Sequence, residues 1–224
     1  MDRLTVPALK TAIRKIHATM AASRDELNRL DGALGDGDIG ITVNRGLASL
    51  LEELDQLPED VGRALFACAR AFTRTGTSSY STLLATGMMA MGRVANRKAE
   101  VLLTDLPGML GAAIEKMGER GRSSLGDKTV LDALDAVRVA LLETPDPAGH
   151  AVAADRAVGV ALDAFRTRPC RQGRARMFRE KSATVDDPGM VVIKRCTEAL
   201  CDTTRIEDRP LDACVNSKER RSMK

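Results

Sequence analysis

Apolar positions recur along most of this chain at three- and four-residue intervals, the stripe of an amphipathic helix. The first run begins at Thr5, a capping residue type, with Pro7 suited to an early helical position, and continues through Leu9, Ile13, Ile16, Met20, Leu27 and Leu30. It ends in the glycine-rich segment Asp31–Gly40. A second helix is predicted over Ile41–Leu54. A third opens at Pro58, with Val61, Leu65, Cys68 and Phe72 on one face. After the loop Thr75–Tyr80, a fourth aligns Leu84, Met88, Met91 and Val94. A fifth covers Leu106–Arg120. The sixth, Lys128–Glu143, carries Leu131, Leu134, Val137 and Leu141, and the seventh, Pro147 to Arg166, aligns Val158, Leu162 and Phe165. Pro188 starts an eighth that reaches Cys201.

No alternating strand, Asn-Gly hairpin or solenoid-length repeat is evident. The pattern therefore predicts an all-α fold of about eight helices, with no sheet, in an antiparallel up-and-down barrel or bundle. Residues 1–201 form its single domain. Beyond Cys201 the periodicity decays, so 202–224 are expected to be an irregular C-terminal tail.

Composition changes the picture in a few respects. Aromatics are 2% of the 224 residues, with no Trp, so the core must be built from aliphatic residues and the ten Met. A net charge of +3 is too small to argue for nucleic acid. Basic residues cluster at Arg166–Arg179 and Lys218–Lys224, but neither run alternates with aromatics that could stack bases. Five cysteines without a C-x-x-C pair fit reduced thiols in a cytoplasmic protein. Two His leave a zinc site without ligands. No apolar run approaches the ~18 residues of a membrane span, and the N-terminus lacks a signal-peptide core.

Chemistry concentrates in the loops. Asp31-Gly-Ala-Leu-Gly-Asp-Gly-Asp-Ile-Gly40 puts Asp31, Asp36 and Asp38 among glycines that let the backbone turn tightly. Carboxylates gathered without a counter-charge repel, and a hard divalent cation removes the repulsion. All-oxygen ligation points to Mg²⁺ or Ca²⁺. EF-hand spacing fails, because counting from Asp31 or from Asp36 puts Thr42 or Leu47 where an acidic ligand is required. The alternative is an acidic turn that caps the helix opening near Ile41. The second loop, Thr75-Gly-Thr-Ser-Ser-Tyr80, offers hydroxyls and N–H groups at a helix start, fit for phosphate or for capping alone. Gly121–Thr129 imitates a P-loop, but Asp127 intrudes before Lys128 and no strand precedes it; Asp127 is a natural cap instead. A fourth loop carries Gly173-Arg-Ala-Arg176, Arg179, Lys181 and Asp186-Asp-Pro-Gly189. All four are odd-numbered connections. In an up-and-down fold they lie at one end, which predicts a composite site.

These motifs resemble the L subunit of dihydroxyacetone kinase. Leu27-Asn-Arg-Leu-Asp-Gly-Ala-Leu-Gly-Asp-Gly-Asp38, Asn44-Arg-Gly46, Gly126-Asp-Lys-Thr-Val-Leu-Asp-Ala-Leu134, Gly173-Arg-Ala175 and Asp187-Pro-Gly189 carry the resemblance, which spans Leu4 to Leu200. It implies an eight-helix antiparallel barrel with ADP or ATP at one end. Asp31, Asp36 and Asp38 would hold Mg²⁺, two ions in all, on the phosphates. Ile39, Gly40 and Thr42 would lie beside them, with Thr77 and Ser78 also near phosphate. Gly121 and Val130 would sit by the base or ribose, Arg174 would meet phosphate, and Asp187, Pro188 and Gly189 would close over the nucleotide. The sequence departs from the family in having Ile39 where a His is usual, Thr42 for an Asn, and Thr75, Gly76, Thr77, Ser78 and Ser79 in the second loop.

The resemblance implies phosphoryl transfer from Mg–nucleotide to a small ketose held by a separate K-like subunit, with no base supplied by this chain. Either ATP exchanges at each turnover, or bound ADP is rephosphorylated by a phosphotransferase-system protein. Ile39 and Ser79 favour an alternative, a non-catalytic nucleotide- or lipid-binding regulatory module. The oligomeric state is open, a homodimer being one assembly the sequence allows.

Overall fold

The computed structural model describes residues 2–74, 76 and 78–206. Its long helices are α1 (Val6–Leu34), α2 (Ile39–Glu52), α3 (Val61–Thr73), α4 (Ser79–Val94), α5 (Leu106–Gly121), α6 (Val130–Glu143) and α7 (His150–Phe165). A four-residue helix α8 (Arg179–Ser182) precedes α9 (Pro188–Ile206). Each long helix packs on its sequence neighbours, and α9 returns to α1, so the ring closes. The all-α expectation holds, with eight long helices and one short one among the described residues.

Capping residues set where the helices begin. Thr5 Oγ1 accepts from the Ala8 N–H at 3.3 Å, and Asp60 caps α3 by accepting from the Arg63 N–H at 2.7 Å. Ser78 Oγ accepts from Ser81 N–H at 3.0 Å to open α4. The cap of α6 is Thr129, in a reciprocal box with Asp132, and not Asp127 as expected. Asp127 instead holds its own loop, accepting from the Ser124 N–H at 2.8 Å. Lys128, expected inside α6, precedes the helix with φ of 61°.

The structure departs from the sequence pattern elsewhere. Arg3–Thr5 (β1) and Glu100–Leu102 (β2) pair antiparallel in a two-stranded ladder where no sheet was expected. Asp31 falls in the last turn of α1, not in a loop. α9 runs to Ile206, past the expected end at Cys201; the rest of the expected tail, 207–224, lies outside the described residues.

On α4 the face predicted from Leu84, Met88, Met91 and Val94 is not the most buried one. Ser81, Ala85, Gly87, Ala90 and Gly92 are buried, and Val94 is 42% exposed. The cause is close backbone approach. A Cβ on Gly62 would lie 2.6 Å from the Gly92 carbonyl oxygen, and one on Gly87 would lie 2.6 Å from Met117 Sδ. Leu84, Met88 and Met91 flank this tight seam and stay partly buried.

Two apolar clusters fill the ring. One joins Met20, Leu27, Ile39, Phe72, Met117, Val158 and Met190. The other joins Val6, Ile13, Leu50, Val61 and Met109 with Val101 of the ladder. Each fully buried aliphatic side chain contributes about 1.5–3 kcal/mol relative to exposure, so these clusters hold the helix ends that carry the loops. Among the described residues no helix is long and apolar enough to cross a membrane.

Candidate nucleotide and metal site

The first loop is shaped by glycine at two positions. Gly37 has φ of +78°, a conformation L side chains rarely adopt. A Cβ on Gly35 would sit 2.6 Å from Asp31 Oδ1. The chain thereby doubles back after α1 and starts α2 beside Asp31. Asp31 Oδ2 accepts from the backbone N–H groups of Asp38 at 2.9 Å and Ile39 at 3.2 Å. Asp38, formally at the cap position of α2, makes no side-chain cap bond; Asp31 supplies it from across the turn.

Carboxylate oxygens of Asp31, Asp36 and Asp38 lie within 4.8 Å of one another. Asp36 and Asp38 are exposed and Asp31 half-buried. An octahedral Mg²⁺ with oxygen ligands at 2.0–2.1 Å sets adjacent ligand oxygens about 2.9 Å apart and opposite ones about 4.1 Å apart, leaving positions for phosphate oxygen and water. Three hard oxygen donors on one side of a cleft, with one fixed by backbone N–H groups, fit such an ion.

The triad stands at the edge of a cavity of about 1410 Å³. All four odd-numbered connections reach it: Gly35, Asp36 and Asp38 from the first, Ser78 from the second, Ser123 and Thr129 from the third, and Gln172, Gly173 and Ala175 from the fourth. The parity of the connections, read from helix count alone, places them correctly. The inner wall comes from helix positions that the sequence did not single out, among them Phe66, Arg70, Thr73, Thr86, Met89 and Arg120. Nothing in the spacing distinguishes a cavity wall from packed core.

Of the residues singled out from the sequence, Asp31, Asp36, Asp38, Ile39, Thr42, Ser78, Gly121, Asp187, Pro188 and Gly189 line this cavity. Gly40 does not. It is buried against α1, where a Cβ would meet the Arg24 carbonyl oxygen at 2.3 Å. Val130 is 3% exposed and belongs to the core behind the site. Thr77 lies outside the described residues. Arg174 is placed by its backbone in the 3-10 turn Arg174–Phe178 that follows Gly173.

The far wall begins α9. Asp187 Oδ2 accepts from the Met190 N–H at 2.8 Å, so it caps the helix that Pro188 opens. Burial pushes the Asp187 carboxyl up to about 7, outweighing that hydrogen bond and the Lys128 charge. Tyr80 donates its hydroxyl to the Gly189 carbonyl at 3.2 Å, and burial raises its pKa well above the usual phenol value. A Cβ on Gly189 would meet Asp187 Oδ2 at 3.0 Å and Tyr80 Cε2 at 3.1 Å, so glycine lets α4 and α9 approach here.

The family model described as the DAK2 domain matches residues 33–202. An L-erythrulose kinase of Pectobacterium atrosepticum is 27% identical over 208 residues, 86% of this chain and 35% of that protein. The ADP-binding subunit of the PEP-dependent dihydroxyacetone kinase of Escherichia coli is 26% identical over 168 residues, 73% of this chain and 80% of that subunit. The chain thus spans 35% of the first of these relatives and most of the second. In a crystal structure of the dihydroxyacetone kinase from C. freundii in complex with AMP-PNP and Mg²⁺, 33% of the chain superposes on 87% of this one, with TM-score 0.70 and 22% identity. At that identity the likeness establishes a shared helical fold.

Proposed function

The chain belongs to the DAK2 domain family, and on that footing we propose that it binds Mg–ADP or Mg–ATP as the nucleotide-binding part of a ketose kinase. The observation that carries this reading is the convergence of Asp31, Asp36 and Asp38 within 4.8 Å at a cavity reached by four loops.

The three carboxylates would hold Mg²⁺, two ions in our reading, which would offset the charge of the phosphates. Asp31 is fixed for this by the Asp38 and Ile39 N–H groups and loses little freedom on binding. Thr42 and Ser78 line the same cavity and would meet the phosphates, Ser78 at the N-terminal end of α4, where backbone N–H groups and the helix dipole favour anions. Arg120 adds positive charge to the cavity lining, whereas Arg70, also on it, is paired with Glu53 at 3.2 Å. Gly121 stands at the nucleoside, and Asp187, Pro188 and Gly189 close over it.

The acceptor, a small ketose such as dihydroxyacetone or a tetrulose, is held by a K-like partner subunit docked over the loops. Phosphoryl transfer of this kind depends on positioning and electrostatics, so no base is required from this chain. The phosphoryl source is ATP or a phosphotransferase-system protein acting on retained ADP. Cys68, Cys170 and Cys196 are thiols, and a cytoplasmic site of action fits that chemistry. Ile39, apolar and at the cavity wall, favours a second reading, a nucleotide- or lipid-binding module without turnover.

Thermal denaturation with Mg–ADP tests the first step. At 100-fold excess over the dissociation constant, binding adds about 2.7 kcal/mol of stability. No shift at millimolar Mg–ADP rejects nucleotide binding. Given a shift, incubation with the K-like subunit, ATP and a panel of ketoses separates the readings: turnover supports the kinase, and none with any sugar supports the module.

A further inference from the structure

The two ends of the connection from α7 to α9 meet at a neck, and between them the turn Arg174–Phe178 lies against α1. At the neck the Cys170 N–H donates to Ser182 Oγ at 2.9 Å. The Lys128 ammonium enters the same neck from the third loop. Its Nζ donates to the carbonyls of Ser182 and Val185, each at 2.8 Å, to Arg168 at 3.0 Å and, more weakly, to Arg166 at 3.5 Å. Lys128 is 1% exposed and holds φ of 61°. Both are unusual for lysine, which is seldom fully buried and rarely left-handed.

Taking an ammonium out of water costs several kcal/mol, and an apolar side chain of like volume is often neutral or stabilising in its place. A charge retained here therefore calls for something a methionine could not do. Each of these partners is a main-chain carbonyl, and they belong to two stretches of chain, the exit from α7 and the approach to α9. With three N–H donors, one ammonium ties both stretches to the loop that opens α6. A second tie runs alongside, in which the Arg171 N–H donates to the Asp127 carbonyl at 3.0 Å and Gln172 Nε2 to the Arg122 carbonyl at 2.7 Å.

What the neck controls lies on the cavity. Gln172, Gly173 and Ala175 leave it on one side, Asp187, Pro188 and Gly189 on the other, and both groups line the proposed nucleotide site. We propose that Lys128 is a positioning residue for the nucleotide, its ammonium clamping the neck of the 170–185 connection so that both flanks stay closed over the bound ligand. The inference rests on the nucleotide-binding reading for its ligand, though the clamp itself does not. Lys128 touches no phosphate in this scheme; it acts through main-chain carbonyls. Its loss therefore opens the far wall and leaves the Asp31 triad in place.

The connection carries its own reporter, because Arg171, Arg176 and Lys181 are exposed trypsin sites. In the ligand-free protein, Lys128→Met should be cut between 171 and 181 at least tenfold faster than the parent, at a temperature where circular dichroism shows both fully folded. With Mg–ADP, the variant should lose at least tenfold in affinity, mainly through faster dissociation, while Mn²⁺ binding followed by paramagnetic resonance is unchanged. Parental nicking rates in Lys128→Met overturn the clamp. Faster nicking with parental nucleotide dissociation overturns the positioning role. If the parent itself binds no Mg–ADP, the nucleotide reading falls and with it the positioning role, and the ligand-free nicking rates still decide the clamp. Should Lys128→Met not fold, Ser182→Ala removes the adjoining clasp to Cys170 and is held to the same two readouts.

Discussion

The backbone N–H of Asp38 donates to Asp31 Oδ2 at 2.9 Å, so one member of the acidic triad caps the helix that another introduces. Capping and metal binding are rival readings of the sequence, yet Asp31 serves the first while facing the second. A carboxylate that accepts two N–H groups keeps an oxygen lone pair set for a cation, and its orientation is paid in the folding of α2 rather than at binding.

Asp36 is exposed in the turn between α1 and α2, which makes it the probe of the metal. Asp36→Asn should leave ligand-free stability within about 0.5 kcal/mol, as for most exposed substitutions. Its Mg²⁺-dependent affinity for ADP should fall at least tenfold, about 1.4 kcal/mol. Calorimetric titration that returns the parental affinity counts against the triad as the metal site. Asp31→Ala should lose both, with about 1 kcal/mol of stability going with the cap.

Much of the architecture is legible because it follows from local rules. Val61, Leu65, Cys68 and Phe72 repeat at helical spacing, and all are buried. Loop parity then puts four polar connections at one end. The remainder depends on partners distant in sequence. The Arg3–Thr5 and Glu100–Leu102 ladder is too short for an alternating signal and exists only through its pairing. The seam of α4 uses Gly87 and Gly92, whose value lies in what they let approach. Lys128 reads as a helix-opening surface residue until the carbonyls of a connection far along the chain surround it. At the site, the loop residues announce themselves by composition, whereas Gly40 and Val130 show that a motif position can support the site from behind.

Gly40 is the sharpest case of that support. A methyl group there would stand 2.3 Å from the Arg24 carbonyl oxygen and 2.7 Å from Asn28 Oδ1, against helix backbone that cannot rotate aside. Asn28 Oδ1 also accepts from the Ile41 N–H at 3.2 Å. Gly40→Ala should cost about 1–3 kcal/mol by forcing α1 and α2 apart. The melting temperature should drop by roughly 2–4 °C for each kcal/mol. A melt unchanged from the parent contradicts the close packing of these helices.

Tyr80→Phe isolates a single bond between α4 and the start of α9. The hydroxyl is replaced by hydrogen, the ring stays, and the Gly189 carbonyl loses its donor. The expected cost is about 1 kcal/mol in urea denaturation, with the slope unchanged because the core is intact. Nucleotide dissociation should quicken as well, since Gly189 lies on the cavity. A change in stability with no change in dissociation assigns the bond to the fold alone.

Asp187 makes the site sensitive to pH, and the sign follows from its burial. Its carboxyl titrates at about 7 in the folded chain against an ordinary 3.8. Below 3.8 both states carry the proton and nothing is lost. Between the two values the unfolded chain has released the proton that the folded chain still holds, so stability falls as pH rises. Above about 7 both are ionised and the contribution levels off. Asp187→Asn keeps an acceptor for the Met190 N–H but cannot ionise. Measured against that variant, the ligand-free parent should lose stability steadily from about pH 4 to pH 7 and then run parallel. In the same window the ionising carboxylate adds negative charge to the cavity proposed for the nucleotide, so Mg–ADP affinity relative to Asp187→Asn should weaken as pH rises through about 7 and level off above it. Parallel stability curves throughout would mean that Asp187 titrates as an exposed acid and that the wall beside Pro188 stands open to water.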